Sequence, residues 1–490
     1  MEAGFFTMTI RSAHTSIHND EGTIDFMFSR REFLGLTAGM GLAPLLNAFE
    51  LGSATADETG STGNLAIASF RFDVSPPIGH SLCGGWIKPV VDYDDRLEAI
   101  GIVITGAGKP IVLCAVDWTG LLNRAHIEWR TALAEAAGTT PERVAVQCVH
   151  QHNAPFACLD AEEIILEQGD LPHIIEKSYY YECLDKGRAA ITEALKQSVA
   201  FTHIATGQAQ VEKVASNRRF LTEEGVVGPW RGSSSKNETL QALPEGLIDP
   251  WLKTVAFYSG EKKVAAFHYY ATHPMSYYGD GRVTSDFVGL ARKRRQTEEP
   301  GCTHIYFTGC SGNIAAGKYN DGSKQARIDL TDRIYAGIVA SEKNLQPEPI
   351  GKVGWKTQNI LPTPRASFDE AEIMKGISNK ENPVVNRNRP SYMVTWLRRC
   401  ANEIPIVLSS LAINDTALLH LPAESFLEYQ LRAQDLGKGK FIATAAYGDG
   451  GPWYIPIAEA YPQGGYEVSV AFCEPTMDAT MMEGIGKLLG

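Results

Sequence analysis

From Leu65 onward, short runs of β-branched and other apolar residues alternate with segments whose apolar positions recur at helical spacing. AIGIVIT and KPIVLCAVD read as strands, HIEWRTALAEAAG as a helix, and RVAVQCV as a further strand. The theme returns in KTVAFYS with KVAAFHYYATH, in THIYFTG, and in TALLHLPAE followed by SFLEYQLRAQDLGKG and KFIATAAYGD. Such alternation predicts an α/β fold, a single large domain over residues 64–490 in which a mixed, largely buried sheet is flanked by helices. No segment recurs at a fixed period, which removes solenoids and propellers. Residues Thr357 to Arg399 are polar, proline-containing and poorly periodic, so this stretch is expected to be an excursion on the domain surface.

Ahead of the domain, Ser29-Arg30-Arg31-Glu32-Phe33-Leu34 leads into a weakly apolar stretch too short and too glycine-rich to span a bilayer, followed by the small residues Ala54-Thr55-Ala56. This combination resembles a twin-arginine export signal. It predicts an extension and signal peptide over residues 1–56, a flexible Gly/Ser/Thr-rich linker over 57–63, and a periplasmic or extracellular destination with no transmembrane segment in the mature chain. Met27 lies just before the arginines and is an alternative start. The competing reading is an amphipathic N-terminal helix of the domain, which the lack of charges at helical spacing disfavours.

Composition narrows the function classes. At 490 residues with 44% hydrophobic and 21% charged residues, the chain has a globular mix. A formal charge of −12 repels nucleic acid, and the longest basic run, Arg292-Lys293-Arg294-Arg295, reads as the solvated face of a helix. The nine cysteines are odd in number, scattered and free of any CxxC pair, so they form neither a disulfide framework nor a thiolate zinc site and read as small buried apolar side chains.

In an open α/β sheet, ligands gather beyond the carboxyl ends of strands, so polar residues directly after apolar runs are informative. RVAVQCV ends in His150-Gln151-His152, and residues two apart in an extended chain point to the same side. KVAAFHYYAT ends in His273-Pro274, and TALLHLPA ends in Glu424. Three nitrogen or oxygen donors with an open position for water make a catalytic zinc site. The alternatives are ordinary loop histidines and, for Glu424, a carboxylate at a helix N-terminus.

Around these residues, HQHNAP resembles the HTHSGP element of the neutral ceramidase family, zinc-dependent amidases acting on N-acylsphingosines. Phe72-Asp73-Val74-Ser75-Pro76-Pro77 is similar to that family's D-I-T/S-P, and Cys114-Ala115-Val116-Asp117 to its strand ending in Asp. Ser216-Asn217-Arg218-Arg219 resembles its N-R-S-P, Ala271-Thr272-His273-Pro274 its H-P element, and Leu421-Pro422-Ala423-Glu424 its M-P-G-E. Tyr454-Ile455-Pro456, Tyr461 and Tyr466 resemble its closing tyrosine segment. The resemblance implies Zn2+ as cofactor, with His150, His273, Glu424 and Tyr454 as metal ligands. It implies further that His152, Arg218 and Tyr466 contact the scissile group or its developing oxyanion. Tyr454 can instead be core packing and Arg218 a surface ion pair. Asp117 and Asp286 are candidates for acceptors behind the ligand histidines, or else loop caps.

The pattern breaks at Thr308-Gly309-Cys310-Ser311-Gly312-Asn313-Ile314-Ala315, where the family's assisting serine falls on Ala315 and its aspartate on Asn313. The segment is neither a phosphate loop nor a nucleophile elbow. The expected activity is hydrolysis of an amide or related acyl bond by metal-activated water, on a lipid-like or small soluble N-acyl substrate; no basic amphipathic face marks a lipid-surface protein. A metal-containing binding protein with lapsed catalysis is the alternative that Ala315 motivates, and a serine hydrolase using Ser311 is a third. The chain ends soon after the closing tyrosines, so the family's C-terminal immunoglobulin-like domain is expected to be missing.

Overall fold

A computed structural model describes residues 58–60 and 64–490 of the chain. The expected signal segment, residues 1–56 with Met27 and the paired arginines, lies outside them.

The mixed sheet expected from the sequence is present as three five-stranded mixed sheets, each built the same way. In the first, Ala66–Asp73, Glu98–Thr105 and Ile111–Val116 pair antiparallel in succession, helix Arg124–Ala137 crosses over, and Val144–Cys148 returns parallel to Ile111–Val116. The second repeats this with His203–Gln210, Trp251–Ser259, Lys262–Tyr270, helix Asp286–Glu298 and Thr303–Thr308. The third uses Val353–Ile360, Ile406–Ile413, Thr416–His420, helix Leu427–Leu436 and Phe441–Ala445. A short strand closes the far edge of each: Val199–Ala200, Glu348–Pro349 and Glu58–Gly60. The last of these falls where the sequence suggested a flexible linker; its backbone instead pairs antiparallel with Val353–Trp355. Unequal connections between strands hide the threefold build from any fixed-period reading.

The parallel pairs are the driest part. Every residue of Ile111–Val116, Val144–Cys148 and Thr416–His420 is buried, and each fully buried Val, Leu or Ile contributes about 1.5–3 kcal/mol of hydrophobic stabilisation. Their carboxyl ends are tied together. The Gln147 side-chain amide donates to the carbonyls of Leu421, Ala445 and Ala446 at 2.9, 3.1 and 2.9 Å, and Thr308 Oγ1 donates to Val149 O at 2.7 Å. The Ala446 N–H reaches Thr308 O at 2.9 Å. All three sheets therefore deliver their parallel strand ends to one place.

Two surface expectations are corrected. Arg292, in the basic run, is 1% exposed and pairs with Glu98 at 2.9 Å and Asp117 at 3.3 Å, because its helix lays that face on the first sheet. The stretch from Thr357 to Arg399 begins inside a strand and continues as helices Glu370–Ser378, Val384–Asn388 and Pro390–Ala401. Tyr392 and Trp396 of the last helix are fully buried; the Tyr392 ring stacks on Phe156 at 5.3 Å. All nine cysteines are free, and all but the half-buried Cys400 are buried. Among the described residues no helix is long and apolar enough to cross a membrane.

Candidate metal centre

The first sheet supplies His150, which turns away from its strand with φ +75°. Its Nδ1 bonds Thr119 O at 2.6 Å. A carbonyl only accepts, so Nδ1 carries the proton and Nε2 the lone pair. His273, just beyond Lys262–Tyr270 of the second sheet, is held the same way, with Nδ1 donating to Ser311 O at 2.6 Å and Ile314 O at 3.1 Å. The third sheet supplies Glu424, whose Oε2 lies 2.9 Å from His273 Nε2 and 3.4 Å from His150 Nε2. Three atoms that present lone pairs thus face one another, and His150 Nε2 has no hydrogen-bond partner. Such a set is repulsive until a cation or proton sits among it. The three ligand atoms lie within 4.8 Å of one another, and two imidazoles with one carboxylate are a donor set that could hold a divalent metal ion. Burial alone would raise the Glu424 carboxyl, but positive charge or a proton shared with the two imidazoles holds it well below its ordinary value, so it stays ionised.

The remaining predicted residues gather here too. Glu424 and Tyr454 pair in a two-residue parallel ladder, and the Tyr454 hydroxyl stands 3.5 Å from His273 Nε2 while accepting from Arg218 Nη1 at 3.2 Å. Burial, then the Glu424 charge, push the Tyr454 phenol up, so it remains a protonated donor. Arg218 is buried, 3.4 Å from Glu467, with its guanidinium 4.7 Å over the Trp230 ring; it makes no surface ion pair. The His152 ring lies 4.9 Å from that of His150, and its Nδ1 is buried without a partner. Burial, reinforced by His150 and His273, keeps His152 neutral. Tyr466, packed on Tyr454 at 5.8 Å, is 37% exposed and Tyr278, packed on His152 at 5.5 Å, is 48% exposed, so these two rings mark the mouth. Thr119, His150, Phe156, Glu424, Tyr447 and Trp453 line a cavity of about 10 Å³ beside the centre, room for about one water.

Asp117 and Asp286 do not stand behind the histidines. Asp117 accepts from Glu98 N and Arg292, and Asp286 from Ser276 N and Phe287 N. The acceptors are main-chain carbonyls, of Thr119 for His150 and of Ser311 and Ile314 for His273. The segment Gly309 to Ala315 is therefore a cradle for His273. Gly312 is required in it, since an added Cβ would stand 2.3 Å from Glu424 O.

Tyr447 went unread in the sequence. Its ring stacks on His150 at 4.2 Å, and its hydroxyl bonds Ser311 Oγ at 2.7 Å. The available signal was position: Tyr447 follows Phe441–Ala445 by two residues, as His150 follows Val144–Cys148. Left-handed backbone also clusters here, at His150, Ala423, Tyr447 and Trp453, each such non-glycine residue costing about 1–3 kcal/mol that the surrounding packing must offset.

The fold matches solved structures. The chain superposes on a ceramidase complexed with C2 with a TM-score of 0.63 at 14% identity, over 87% of this chain and 75% of that one. It matches neutral ceramidase from Pseudomonas aeruginosa at a TM-score of 0.61 and 14% identity, over 87% and 74% of the two chains. The fold is that of neutral ceramidase. Neither a protein-family model nor a curated protein sequence matches the chain. Within this ceramidase fold a second imidazole pair, His268 and His304, also stands near carboxylates. There Lys263 Nζ lies 2.6 Å from Glu342 and 2.8 Å from Glu299, so the cation that those carboxylates require is already part of the chain.

Proposed function

We propose that the protein is an exported zinc-dependent hydrolase of the ceramidase type that cleaves a linear amide bond of an N-acyl substrate. The observation that carries this reading is the convergence of His150 Nε2, His273 Nε2 and Glu424 Oε2, one from each sheet, with the Tyr454 hydroxyl beside them. Buried imidazoles fixed by carbonyls in the Nδ1–H form suit zinc as well as their residue types do. When bound, the ion would supply a Lewis acid and lower the pKa of a water able to attack a carbonyl.

The chain's own groups divide the rest of the work. Glu424, held ionised, balances charge at the centre. His152, kept neutral by burial, can accept the proton of an attacking water through its free Nδ1 or donate from the other nitrogen. Arg218, oriented by Tyr454 and Glu467, and Tyr466 at the mouth supply the donors for an oxyanion. Burial of the centre excludes bulk water and strengthens these interactions. Ala315 cannot assist, because its side chain is a methyl group; its backbone instead pairs with Ser216.

Metal analysis of protein purified without chelator is expected to give about one zinc per chain. Turnover of an N-acyl amide panel, abolished by a chelator and restored by zinc, is the expected behaviour. Bound zinc with no turnover of any N-acyl or ester substrate would favour the binding-protein reading that Ala315 motivates.

A further inference from the structure

The mouth of the centre carries a charge that no carboxylate among the described residues answers. Arg218 and Arg219 share the carboxylate of Glu467, at 3.4 and 3.0 Å. Arg389, directly ahead of helix Pro390–Ala401, makes no ion pair among the described residues. Its guanidinium lies 4.7 Å over the Trp453 ring and 5.5 Å over the Trp86 ring, and Nη2 donates only a long bond, 3.4 Å, to the Tyr466 hydroxyl. Stacking on two indoles holds the guanidinium plane in place and leaves its N–H edge available, the geometry in which arginine grips a carboxylate.

The position is close to the chemistry. Trp453 lines the cavity beside His150 and Glu424, and the Tyr466 ring packs on Tyr454, whose hydroxyl approaches His273. The Cys83 thiol and the Tyr278 phenol both feel the Arg389 charge, the first together with that of Glu424 and the second together with that of Arg218. Arg389 therefore stands one hydrogen bond outward from Tyr466, on the rim of the same site. In a chain of formal charge −12, a lone cation at this rim selects for an anion.

We propose that the substrate is an N-acyl amino acid whose carboxylate is held by Arg389 beside Tyr466. This rests on the hydrolase reading above, which places the scissile group at Tyr466. In such a molecule the carboxylate is separated from the scissile carbonyl by the amide nitrogen and one carbon, so a carbonyl at Tyr466 puts the acid against the guanidinium. A neutral sphingoid amide offers nothing to that charge.

The test separates binding from turnover. With the full-length protein as purified, calorimetry compares N-(undecylcarbamoyl)glycine, a urea that resists hydrolysis, with its uncharged glycinamide. The acid is expected to bind at least about tenfold tighter, as one charge-assisted hydrogen bond implies. Arg389→Met should erase that preference and Arg389→Lys should keep part of it, with both variants checked for folding by circular dichroism. Equal affinity for acid and amide, no binding of the acid, or a preference that survives in Arg389→Met overturns the assignment. Hydrolysis of N-lauroylglycine is measured separately. If the acid is preferred in binding and no N-acyl substrate is turned over, the hydrolase reading fails while the carboxylate site stands.

Discussion

The hydroxyls of Ser311 and Tyr447 lie 2.7 Å apart, and through this bond the two imidazoles of the candidate metal centre are braced against each other. The Ser311 carbonyl fixes His273, and the Tyr447 ring stacks on His150. Ser311 is fully buried and its oxygen is engaged, which is the environment of a positioning side chain rather than of a nucleophile with a base beside it. Ser311→Ala should keep turnover within about tenfold, because the carbonyl that orients His273 remains. Tyr447→Ala should weaken metal binding by about 10–100-fold, as expected for groups that orient ligands. Labelling of Ser311 by a fluorophosphonate would reverse this assignment.

His150→Ala, His273→Ala and Glu424→Gln should each remove metal and activity together, with larger losses of affinity than Tyr447→Ala because each deletes a donor atom. Metal content by mass spectrometry checks this. Stoichiometric zinc in both histidine variants would show that the ion is held elsewhere.

Ala423 stands at φ +51°, directly before Glu424 and where the ceramidase motif has glycine. A Cβ there costs roughly 1–2 kcal/mol, against about 0.5–1 kcal/mol for the greater freedom of glycine when unfolded. Ala423→Gly is expected to raise stability by up to about 1 kcal/mol with metal affinity unchanged. A loss of more than that on chemical denaturation would mean the methyl is needed for packing.

Asp449 anchors the loop that carries Tyr447, Trp453 and Tyr454. It is buried, 2.6 Å from Arg399, and accepts from the N–H groups of Asn123 and Gly451. Asp449→Ala leaves Arg399 buried without its partner and should cost about 3–5 kcal/mol. Urea unfolding of the variant measures it; a cost below about 1 kcal/mol would indicate that water or a shift of the loop compensates.

Burial pushes the Cys83 and Cys158 thiols up to about 12, and the half-buried Cys400 to about 11. A raised value leaves the thiol protonated and unreactive at pH 8. Iodoacetamide should leave the native protein almost unmodified, with Cys400 the first to react as pH rises toward 11, and should modify all nine cysteines after denaturation. Rapid labelling of a buried cysteine in the native state would expose local opening.

Much of the candidate centre was legible because its three donor residues obey a one-dimensional rule. His150, His273 and Glu424 each follow an apolar run, and a strand that is buried along its length can offer polar chemistry only where it ends. The resemblance to ceramidase added Tyr454, Arg218 and Tyr466, and the fold places them in one cluster with the three donors. Arg292 and the helices near Trp396 were misread for a related reason: charge and irregular spacing suggest solvent, but Glu98 and Asp117 answer the arginine, and the Phe156 wall receives the aromatic rings around Tyr392.

By itself, then, the sequence determined the strands, the α/β class and the residue types able to bind a metal, since hydrophobic period and side-chain chemistry are local properties. Only the tertiary structure decided that the strands form three sheets of one design, that main-chain carbonyls rather than Asp117 and Asp286 orient the histidines, that Tyr447 stacks on His150, and that Arg389 lies over Trp453 without a carboxylate partner among the described residues. A carbonyl is the same at every residue, and a ring stack or an unanswered charge exists only once distant segments meet, so no local pattern can encode them.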